Sequence, residues 1–398
     1  MPDGRTPPPK PLRTLAARFD PAVFDVGRRE ARLRLEARGM GTWDVVVRDG
    51  RARLCQGGTG RRADALLTAD AATWCRLADD LRSGMEAFRA GRLVVRRDLH
   101  LGVGFLAATA GVRDDGALRF RRVRTRPGEL SLMEAGAGPP VVLLHGLGAT
   151  KASFLPTVAA LADAHHVIAV DLPGFGDSAK PLIAAYDAPY FADSVIALLD
   201  ALGLERAALV GNSMGGRIAL ETALRHPGRV GRLVLLAPAL AWLRARPWAS
   251  LLRLVPPQLG ALQPAPRAVV EPLVRLMVPG GARGWTAAGV DEFLRSYLEP
   301  RGRAAFYAAA RNIYLDEPHG RDGFWTRLPT LTAECLFVWG RRDRLVPVAF
   351  APHVRRALPR AEHLELDCGH VPQLERPRVV HEAMVEFLAR GAPPRRRG

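Results

Sequence analysis

Three residues of the sequence are of types that together could carry out nucleophilic catalysis, and each follows an apolar run. Ser213 stands in the pentapeptide Gly-Asn-Ser-Met-Gly at 211–215, and the chain contains only eight serines. Asp343 and His370 follow two later apolar segments. A serine hydroxyl becomes a good nucleophile when an imidazole takes its proton, and a carboxylate at the other ring nitrogen orients that imidazole. We therefore expect Ser213 as nucleophile, His370 as general base and Asp343 as its acid partner.

Apolar runs alternate with helical patterns along the chain, and these elements could bring the three residues together. The runs lie at 141–144, 167–170, 207–210, 233–236 and 336–338. Continuous apolar strands separated by helices predict a parallel sheet covered on both faces. The segment 363–366 alternates instead, which suits a strand nearer the edge. Because the carboxyl ends of parallel strands face one crevice, Ser213, Asp343 and His370 can meet there.

Negative charge that develops on a substrate oxygen during such a reaction requires fixed hydrogen-bond donors. The backbone N–H of Met214, directly after the serine, is one candidate. The turn at 145–148, His-Gly-Leu-Gly, follows the first apolar run and offers the N–H of Leu147 as the second. We expect Leu147 and Met214 to form the oxyanion hole.

The turn at His145, the segment 171–178, the Ser213 pentapeptide, Asp343 and His370 together resemble the α/β-hydrolase family, in the order Ser, Asp, His that this fold requires. The resemblance implies a mostly parallel, doubly wound α/β sheet over 127–390 and no organic cofactor or metal. It also implies a helical cap where the alternation breaks, at 239–325. Four tryptophans fall in that range: Trp242, Trp248, Trp285 and Trp325.

A smaller α+β pattern precedes this region, at 17–110. Two stretches within it, 67–70 and 85–98, resemble the sterol-carrier-protein-2 (SCP2) family, although Arg97 stands where such domains usually have glycine. Asp70 and Asp98 are placed to cap helices. The resemblance implies a bound lipid in an apolar tunnel. Whether the apolar faces line such a tunnel or form an ordinary core stays open at this point.

The flanking segments have simpler compositions. We predict a disordered proline-rich arm at 1–16, a linker at 111–126 and a basic tail at 391–398. The start of the chain lacks the apolar segment of a secretory signal, and no stretch approaches the roughly 20 apolar residues of a membrane span. We therefore expect neither a leader peptide nor an integral membrane segment.

The formal net charge of +17 comes almost entirely from arginine, because lysine occurs only three times. The arginines are scattered and accompany no nucleic-acid-binding motif, so we expect no nucleic-acid partner. The charge does favour transient contact with an anionic membrane surface. The four cysteines have no metal-ligand spacing, and their small number predicts a reducing, cytoplasmic location.

These features together predict a carboxylic-ester hydrolase acting on an apolar, lipid-like ester. A serine-dependent hydrolase of C–C bonds in meta-cleavage products is the nearest alternative, because residues 211–216 and 368–370 resemble that subgroup. Cofactor-free haloperoxidase-type activity from the same residues is a weaker alternative. A non-enzymatic lipid carrier with a retained hydrolase scaffold is the alternative from another class.

Overall fold

The computed structural model describes residues 7–24, 30–58, 60–79, 83–110, 117–242, 254, 256–277 and 284–390. The chain forms two compact units. Unit 1 comprises Met1–Arg121 and Ala265–Leu298, and unit 2 comprises Arg122–Pro264 and Glu299–Gly398. Trp248, the predicted tail at 391–398 and residues 111–116 of the predicted linker lie outside the described residues, as does the side chain of Trp285.

Within the described residues we label thirteen strands and fourteen α-helices. The strands are β1 (Glu30–Arg38), β2 (Gly41–Arg48), β3 (Arg51–Gln56), β4 (Ala65–Asp70), β5 (Val94–Arg96), β6 (Arg119–Thr125), β7 (Gly128–Ala135), β8 (Pro140–Leu144), β9 (His166–Val170), β10 (Ala207–Asn212), β11 (Val230–Leu236), β12 (Glu334–Gly340) and β13 (Glu362–Leu366). The helices are α1 (Lys10–Ala17), α2 (Ala71–Asp79), α3 (Ser83–Arg89), α4 (Leu99–Ala108), α5 (Leu155–Leu161), α6 (Ala188–Ala201), α7 (Met214–Arg225), α8 (Arg267–Met277), α9 (Gly284–Tyr297), α10 (Pro300–Leu315), α11 (Phe324–Arg327), α12 (Ala351–Ala357), α13 (Pro372–Glu375) and α14 (Pro377–Ala389).

Unit 1 contains a five-stranded sheet in the order β3-β2-β1-β4-β5. The pair β1–β4 is parallel, whereas β1–β2, β2–β3 and β4–β5 are antiparallel. Alternation along β1 buries Leu33 and Leu35 on one face, and Trp43 and Trp74 are also almost fully buried. The predicted α+β character of this region is confirmed.

Two helices of unit 1 begin at the aspartates that the sequence predicts as caps. Asp70 Oδ1 accepts a hydrogen bond from Thr73 N at 2.7 Å, at the start of α2. Asp98 Oδ1 accepts one from Leu101 N at 2.8 Å, at the start of α4. Each cap satisfies a backbone donor that the helix itself cannot, which typically stabilises it by about 1 kcal/mol.

The proline-rich arm predicted for 1–16 does not extend that far. Lys10–Ala17 forms helix α1, in which Leu12 and Leu15 are completely buried. Pro11 lies in the first turn, where its fixed φ suits a helix start and its missing N–H costs nothing. The expectation gave too much weight to the prolines and too little to the two leucines three residues apart.

Helices α8 and α9 fall within the range predicted as a cap, yet they belong to unit 1. The Asp291 carboxylate of α9 accepts hydrogen bonds from Arg96 Nε at 2.7 Å and from Arg97 N at 2.8 Å. Glu292 Oε1 accepts one from Leu99 N at 2.8 Å. Burial raises the pKa of Asp291, but the arginines outweigh that effect and hold it below its usual value. These ionised contacts attach α9 to the edge strand β5 and to the start of α4.

Unit 2 is built on an eight-stranded sheet in the order β13-β12-β11-β10-β8-β9-β7-β6. From β8 to β13 the neighbouring strands are parallel, and β7 pairs antiparallel with β9. The six predicted strands of this sheet are all present. The alternating segment forms β13 at the sheet edge, as expected. Within the described ranges, no helix is long and apolar enough to cross a membrane.

Candidate active site

Ser213 lies on the sharp turn between β10 and α7. Its φ is +54° and its ψ is −116°, a conformation that residues with side chains rarely adopt. A Cβ atom on Gly215 would lie 1.9 Å from the carbonyl oxygen of Leu144, and one on Gly211 would lie 2.3 Å from that of Gly215. The strand, the turn and the helix therefore approach too closely for any residue but glycine at these two positions, and the serine is held in a strained geometry.

Asp343 and His370, which are predicted to interact, are in direct contact. His370 Nδ1 and Asp343 Oδ2 are 2.7 Å apart. The other carboxylate oxygen accepts hydrogen bonds from Leu345 N at 2.8 Å and Val346 N at 3.0 Å. The Asp343 side chain is fully shielded from solvent, whereas 19% of the His370 side chain is exposed. Because Nδ1 donates to the carboxylate, Nε2 of a neutral His370 is left as a proton acceptor.

Asn212 connects the turn at Ser213 to the loop that carries His370. Its side-chain Nδ2 donates to Leu236 O at 3.0 Å and to His370 O at 3.2 Å. On the other side of the turn, a Cβ on Gly146 would lie 3.2 Å from the Ser213 Cβ. The turn at Ser213 thus lies next to both the loop that carries His370 and the turn after β8. Apart from its position next to the serine, nothing in the sequence indicates this role of Asn212.

The turn after β8 is shaped by the buried side chain of His145. Its Nε2 accepts a hydrogen bond from Leu172 N at 3.0 Å, so its Nδ1 carries the proton and donates to Gly146 O at 2.8 Å. Burial lowers the pKa of His145 and keeps the ring neutral. His145 therefore orients the turn that holds Leu147.

Met214 is the first residue of α7, so its N–H has no acceptor within that helix.

A buried ion pair braces the loops next to this turn. Asp171 Oδ1 accepts a hydrogen bond from Lys151 N at 2.7 Å, and Oδ2 contacts Lys151 Nζ at 2.5 Å and Asp177 N at 2.8 Å. The exposed fractions of the Lys151 and Asp171 side chains are 1% and 0%. Burial raises the pKa of Asp171, but the Lys151 ammonium, together with the hydrogen bond from Asp177 N, brings that pKa below its usual value, so the carboxylate stays ionised. Asp171 and Asp177 accordingly serve the shape of the loop.

Glu375 holds the His370 loop from the other end, and the sequence analysis did not identify it. Its Oε2 accepts a hydrogen bond from Gly369 N at 2.6 Å, and its Oε1 accepts one from Val371 N at 3.1 Å. These two N–H groups flank His370 in the chain. A single carboxylate thus fixes the backbone on both sides of the histidine.

Three other acids of unit 2, Asp316, Glu317 and Asp322, have surroundings different from those of Asp343. Asp316 Oδ2 accepts a hydrogen bond from Arg217 Nε at 2.7 Å, and the buried Arg217 also pairs with Glu221 at 2.9 Å. Burial lowers the pKa of Arg217, but the two carboxylates raise it by more. Glu317 and Asp322 are exposed. Of the carboxylates considered, Asp343 is the one that contacts His370.

Aromatic side chains near the end of β11 pack against one another. Trp325 Nε1 donates to Ala241 O at 2.9 Å, and its ring stacks on Phe350 with 6.3 Å between centroids. Trp242 meets the same phenylalanine edge-on at 6.0 Å and is 38% exposed. Trp325 therefore contributes to packing, while Trp242 offers an apolar surface to solvent or to a ligand.

Unit 2 also has a surface cleft of about 470 Å³. It is lined by residues at the start of α6 and the end of α10, including Arg311. A narrow crevice shares Asn312 and Asp316 with this cleft and is also lined by Phe191 and Met214. The crevice has a volume of only about 10 Å³, so it leaves no room for a hydrocarbon chain beside the Met214 side chain.

The two buried cysteines of unit 2, Cys335 and Cys368, are poor nucleophiles. All four cysteines of the chain are free thiols. Burial raises the pKa of Cys335 to about 12 and that of Cys368 to about 11, so both stay protonated at neutral pH. In the part of the chain that the structure describes, no group of three or more His, Cys, Asp or Glu residues is placed to hold a metal ion.

A serine on a strand-to-helix turn of a mostly parallel sheet is the architecture of α/β hydrolases. Residues 139–377 match the family model for the alpha/beta hydrolase fold, and the chain belongs to this family. Residues 25–106 match the model of the SCP-2 sterol transfer family, in the range where the sequence resembles it. Both resemblances inferred from the sequence are confirmed.

Individual relatives are hydrolases of different kinds. The chain is 31% identical over 274 residues to a 2-hydroxymuconate semialdehyde hydrolase of Pseudomonas sp. (strain CF600), covering 65% of this chain and 90% of that protein. It is 30% identical over 262 residues to a pimeloyl-[acyl-carrier protein] methyl ester esterase of Aeromonas hydrophila, covering 65% and 99%. A crystal structure of a membrane phospholipase A, described as a bacterial virulence factor, matches with a TM-score of 0.55 and 31% identity over 69% of this chain and 87% of that one.

The buried Lys151–Asp171 pair generates a prediction about stability. Asp171→Asn would leave the buried Lys151 ammonium with only the more distant, partly exposed Asp177 carboxylate as counter-charge, so the free energy of unfolding should fall by about 3–5 kcal/mol. Because the folded pKa of Asp171 lies below its ordinary value, its contribution is complete above about pH 4 and is lost as the pH falls further. Urea unfolding of the unmodified chain and of the Asp171→Asn variant between pH 3 and pH 7 measures this contribution. The difference between their free energies of unfolding should shrink towards pH 3.

Asp177→Asn is the matched control, since this carboxylate is 17% exposed and lies 3.6 Å from Lys151 Nζ. Asp177→Asn should lower the free energy of unfolding by clearly less than Asp171→Asn does. Equal losses from the two variants, or a loss at Asp171 that does not depend on pH, would contradict the assignment.

Proposed function

We propose that this hydrolase cleaves carboxylic esters through an acyl-enzyme, with Ser213 as nucleophile, His370 as general base and Asp343 as the carboxylate that orients the histidine. The observation that carries the proposal is the 2.7 Å hydrogen bond between His370 Nδ1 and Asp343 Oδ2. It is supported by the strained elbow at Ser213 and by the contact of Asn212 with the His370 carbonyl.

In the first half of the reaction, Ser213 Oγ attacks the ester carbonyl carbon while its proton passes to His370 Nε2. The imidazolium that forms is stabilised by the buried Asp343 carboxylate, which already accepts two backbone hydrogen bonds and cannot turn away. The tetrahedral intermediate then collapses. The C–O bond to the alcohol breaks, and His370 returns the proton to the departing oxygen.

The negative charge on the tetrahedral oxygen requires donors that are in place beforehand. We assign this role to the N–H groups of Leu147 and Met214. Hydrogen bonds of His145 fix the turn that holds Leu147, and the packing of Gly215 against Leu144 fixes the helix start at Met214. The loss of one such donor typically costs about 3–4 kcal/mol of barrier.

In the second half, water replaces the alcohol. His370 takes a proton from the water as it attacks the acyl carbon, and Ser213 leaves with that proton. The products are a carboxylic acid and the regenerated serine. Every step of this mechanism uses side chains and backbone groups of unit 2, with no added cofactor.

An apolar, lipid-like ester fits the surroundings of these residues best. The exposed ring of Trp242 provides apolar surface that a hydrocarbon group could cover. Relatives of the chain include a methyl ester esterase and a phospholipase A, both of which act on carboxylic esters.

A specific observation favours C–C bond hydrolysis as the second candidate. A 2-hydroxymuconate semialdehyde hydrolase is 31% identical to the chain across 90% of its own length. The sequence around Ser213 and at 368–370 resembles that subgroup. The same nucleophile, base and oxyanion donors would serve this reaction, so substrate assays must separate the two.

For unit 1 we propose a bound acyl- or sterol-like lipid, supported by its match to the SCP-2 sterol transfer family. We further place the protein in the cytoplasm, supported by its four free thiols. Native mass spectrometry of the purified full chain should find a non-covalent apolar ligand in this unit. A chain that stays ligand-free after incubation with fatty acids and sterols would overturn the lipid assignment.

The roles of Ser213 and Asp343 predict graded losses of activity. Ser213→Ala should lower kcat by about 10⁶, because the residual rate comes from substrate binding and the oxyanion donors alone. Asp343→Asn should lower kcat by about 10⁴, because the amide favours the wrong tautomer of His370. Steady-state hydrolysis of a p-nitrophenyl ester measures both.

Asp322→Asn is the control for this series, since Asp322 is an exposed acid of the same unit. Its kcat should be unchanged. Activity that survives Ser213→Ala, or an Asp322 variant as impaired as the Asp343 variant, would contradict the proposed roles.

A substrate panel distinguishes the two candidate reactions. Esters of p-nitrophenol with acyl chains from two to sixteen carbons should be hydrolysed with kcat/KM rising towards the longer chains. A dienoate meta-cleavage product should keep its visible absorbance. Decay of the dienoate without ester turnover would favour the C–C reaction, and turnover of neither substrate would refute both.

A further inference from the structure

Several arginines of unit 1 lie around the short loop at 61–64. Arg34 Nη2 donates to Arg61 O at 3.2 Å, and Arg97 Nη1 donates to Ala63 O at 2.6 Å. Two guanidinium groups thus contact the backbone of one loop, and the exposed Arg62 lies between their two acceptor residues in the chain. We name this group the arginine cluster: Arg34, Arg62 and Arg97.

Carboxylates neutralise only part of this positive charge. Arg34 is paired with Asp44, with 2.8 Å between Nε and Oδ1. The guanidinium of Arg97, in contrast, is bonded to a neutral carbonyl oxygen. Among the residues that the structure describes, no carboxylate forms an ion pair with the side chain of Arg97 or Arg62.

The electrostatic environment of Arg97 reflects this imbalance. Partial burial lowers the pKa of its guanidinium, and three neighbouring arginines lower it further: Arg62, Arg34 and Arg267. Asp291 opposes this effect through space, but it is already shared by Arg96 and Arg267. Like charges held together in this way raise the energy of the unliganded protein, and a bound anion would relieve the repulsion.

The backbone at Arg97 adds an independent observation. Its φ is +74°, in the left-handed region that favours glycine. The N–H of Arg97 is held by Asp291 at 2.8 Å, which fixes this conformation. The chain therefore accepts a strained backbone in order to carry a guanidinium at this point. Such strain is concentrated at functional sites.

We propose that the arginine cluster is a binding site for the phosphoryl group of a ligand of unit 1. Two guanidinium groups without a carboxylate partner among the described residues match a phosphoryl group, which carries at least one negative charge at pH 7 and has two or more free acceptor oxygens. The planar forks of Arg97 and Arg62 can each donate to two of those oxygens. The phosphoryl group is that of a lipid headgroup or of a soluble phosphate ester. The site does not depend on the chemistry proposed for Ser213.

The test uses the full chain and two probes that distinguish these sources. Inorganic phosphate is titrated calorimetrically at constant ionic strength, and vesicles of phosphatidylglycerol or phosphatidylcholine are tested by flotation. The proposal expects binding of phosphate, of the phosphatidylglycerol vesicles, or of both. Phosphate binding without flotation identifies a soluble ester as the ligand. Flotation only with phosphatidylglycerol identifies a lipid headgroup.

Arg97→Gly and Arg62→Ala should each weaken the observed binding about tenfold, the effect of losing one charge-assisted contact. Arg97→Gly should leave the Tm in chloride buffer unchanged or higher, because glycine adopts a φ of +74° without strain. A loss of binding in this variant then cannot be ascribed to misfolding.

Arg48→Ala is the matched control, since Arg48 is an exposed arginine of the same unit that lies next to Asp49 at 3.4 Å. Arg48→Ala should bind phosphate and the vesicles as tightly as the unmodified chain does. If all three variants weakened binding equally, the binding would be explained by the overall positive charge of the protein, and the proposed site would be wrong. Absence of binding to both probes, or full binding by Arg97→Gly, would also overturn it.

Discussion

The site of unit 2 depends on one steric constraint, the contact between backbone and backbone where β10 turns into α7. A side chain at Gly215 would overlap the carbonyl of Leu144 on the neighbouring strand β8, and one at Gly211 would overlap the turn itself. Only this close approach lets α7 begin directly beneath Ser213 and aims the first N–H of the helix at the space above the sheet. The strain at Ser213 follows from the same packing.

Polar contacts then hold the surrounding loops against this rigid turn. Asn212 contacts the carbonyl of His370, Glu375 holds the N–H groups on both sides of that histidine, and the buried Asp171–Lys151 pair shapes the loops after β8 and β9. Each of these groups is buried or makes hydrogen bonds at both ends. The loops are therefore already ordered before the substrate reacts, and little conformational entropy is lost during the reaction. Preorganised donors of this kind account for most of the rate enhancement in acyl-transfer enzymes.

Much of this arrangement could be predicted from the sequence, because its causes are local. The strands β8 to β12 are apolar runs, the caps at Asp70 and Asp98 precede helical patterns, and the glycines around Ser213 mark a sharp turn. Helix α1 was missed because its prolines were given more weight than its leucines. The attachment of α9 to unit 1 could not be predicted, because Arg96 and Asp291 are 195 residues apart and neither lies in a recognisable motif. Asn212 and Glu375 act through backbone groups, which leave no pattern in a single sequence.

Covalent labelling tests our proposal that His370 makes Ser213 nucleophilic. A fluorophosphonate probe, followed by peptide mapping, should modify Ser213 stoichiometrically, and His370→Ala should lose this labelling while its folded structure is retained. Labelling of a different serine, or of Ser213 at the same rate in the His370 variant, would contradict the account.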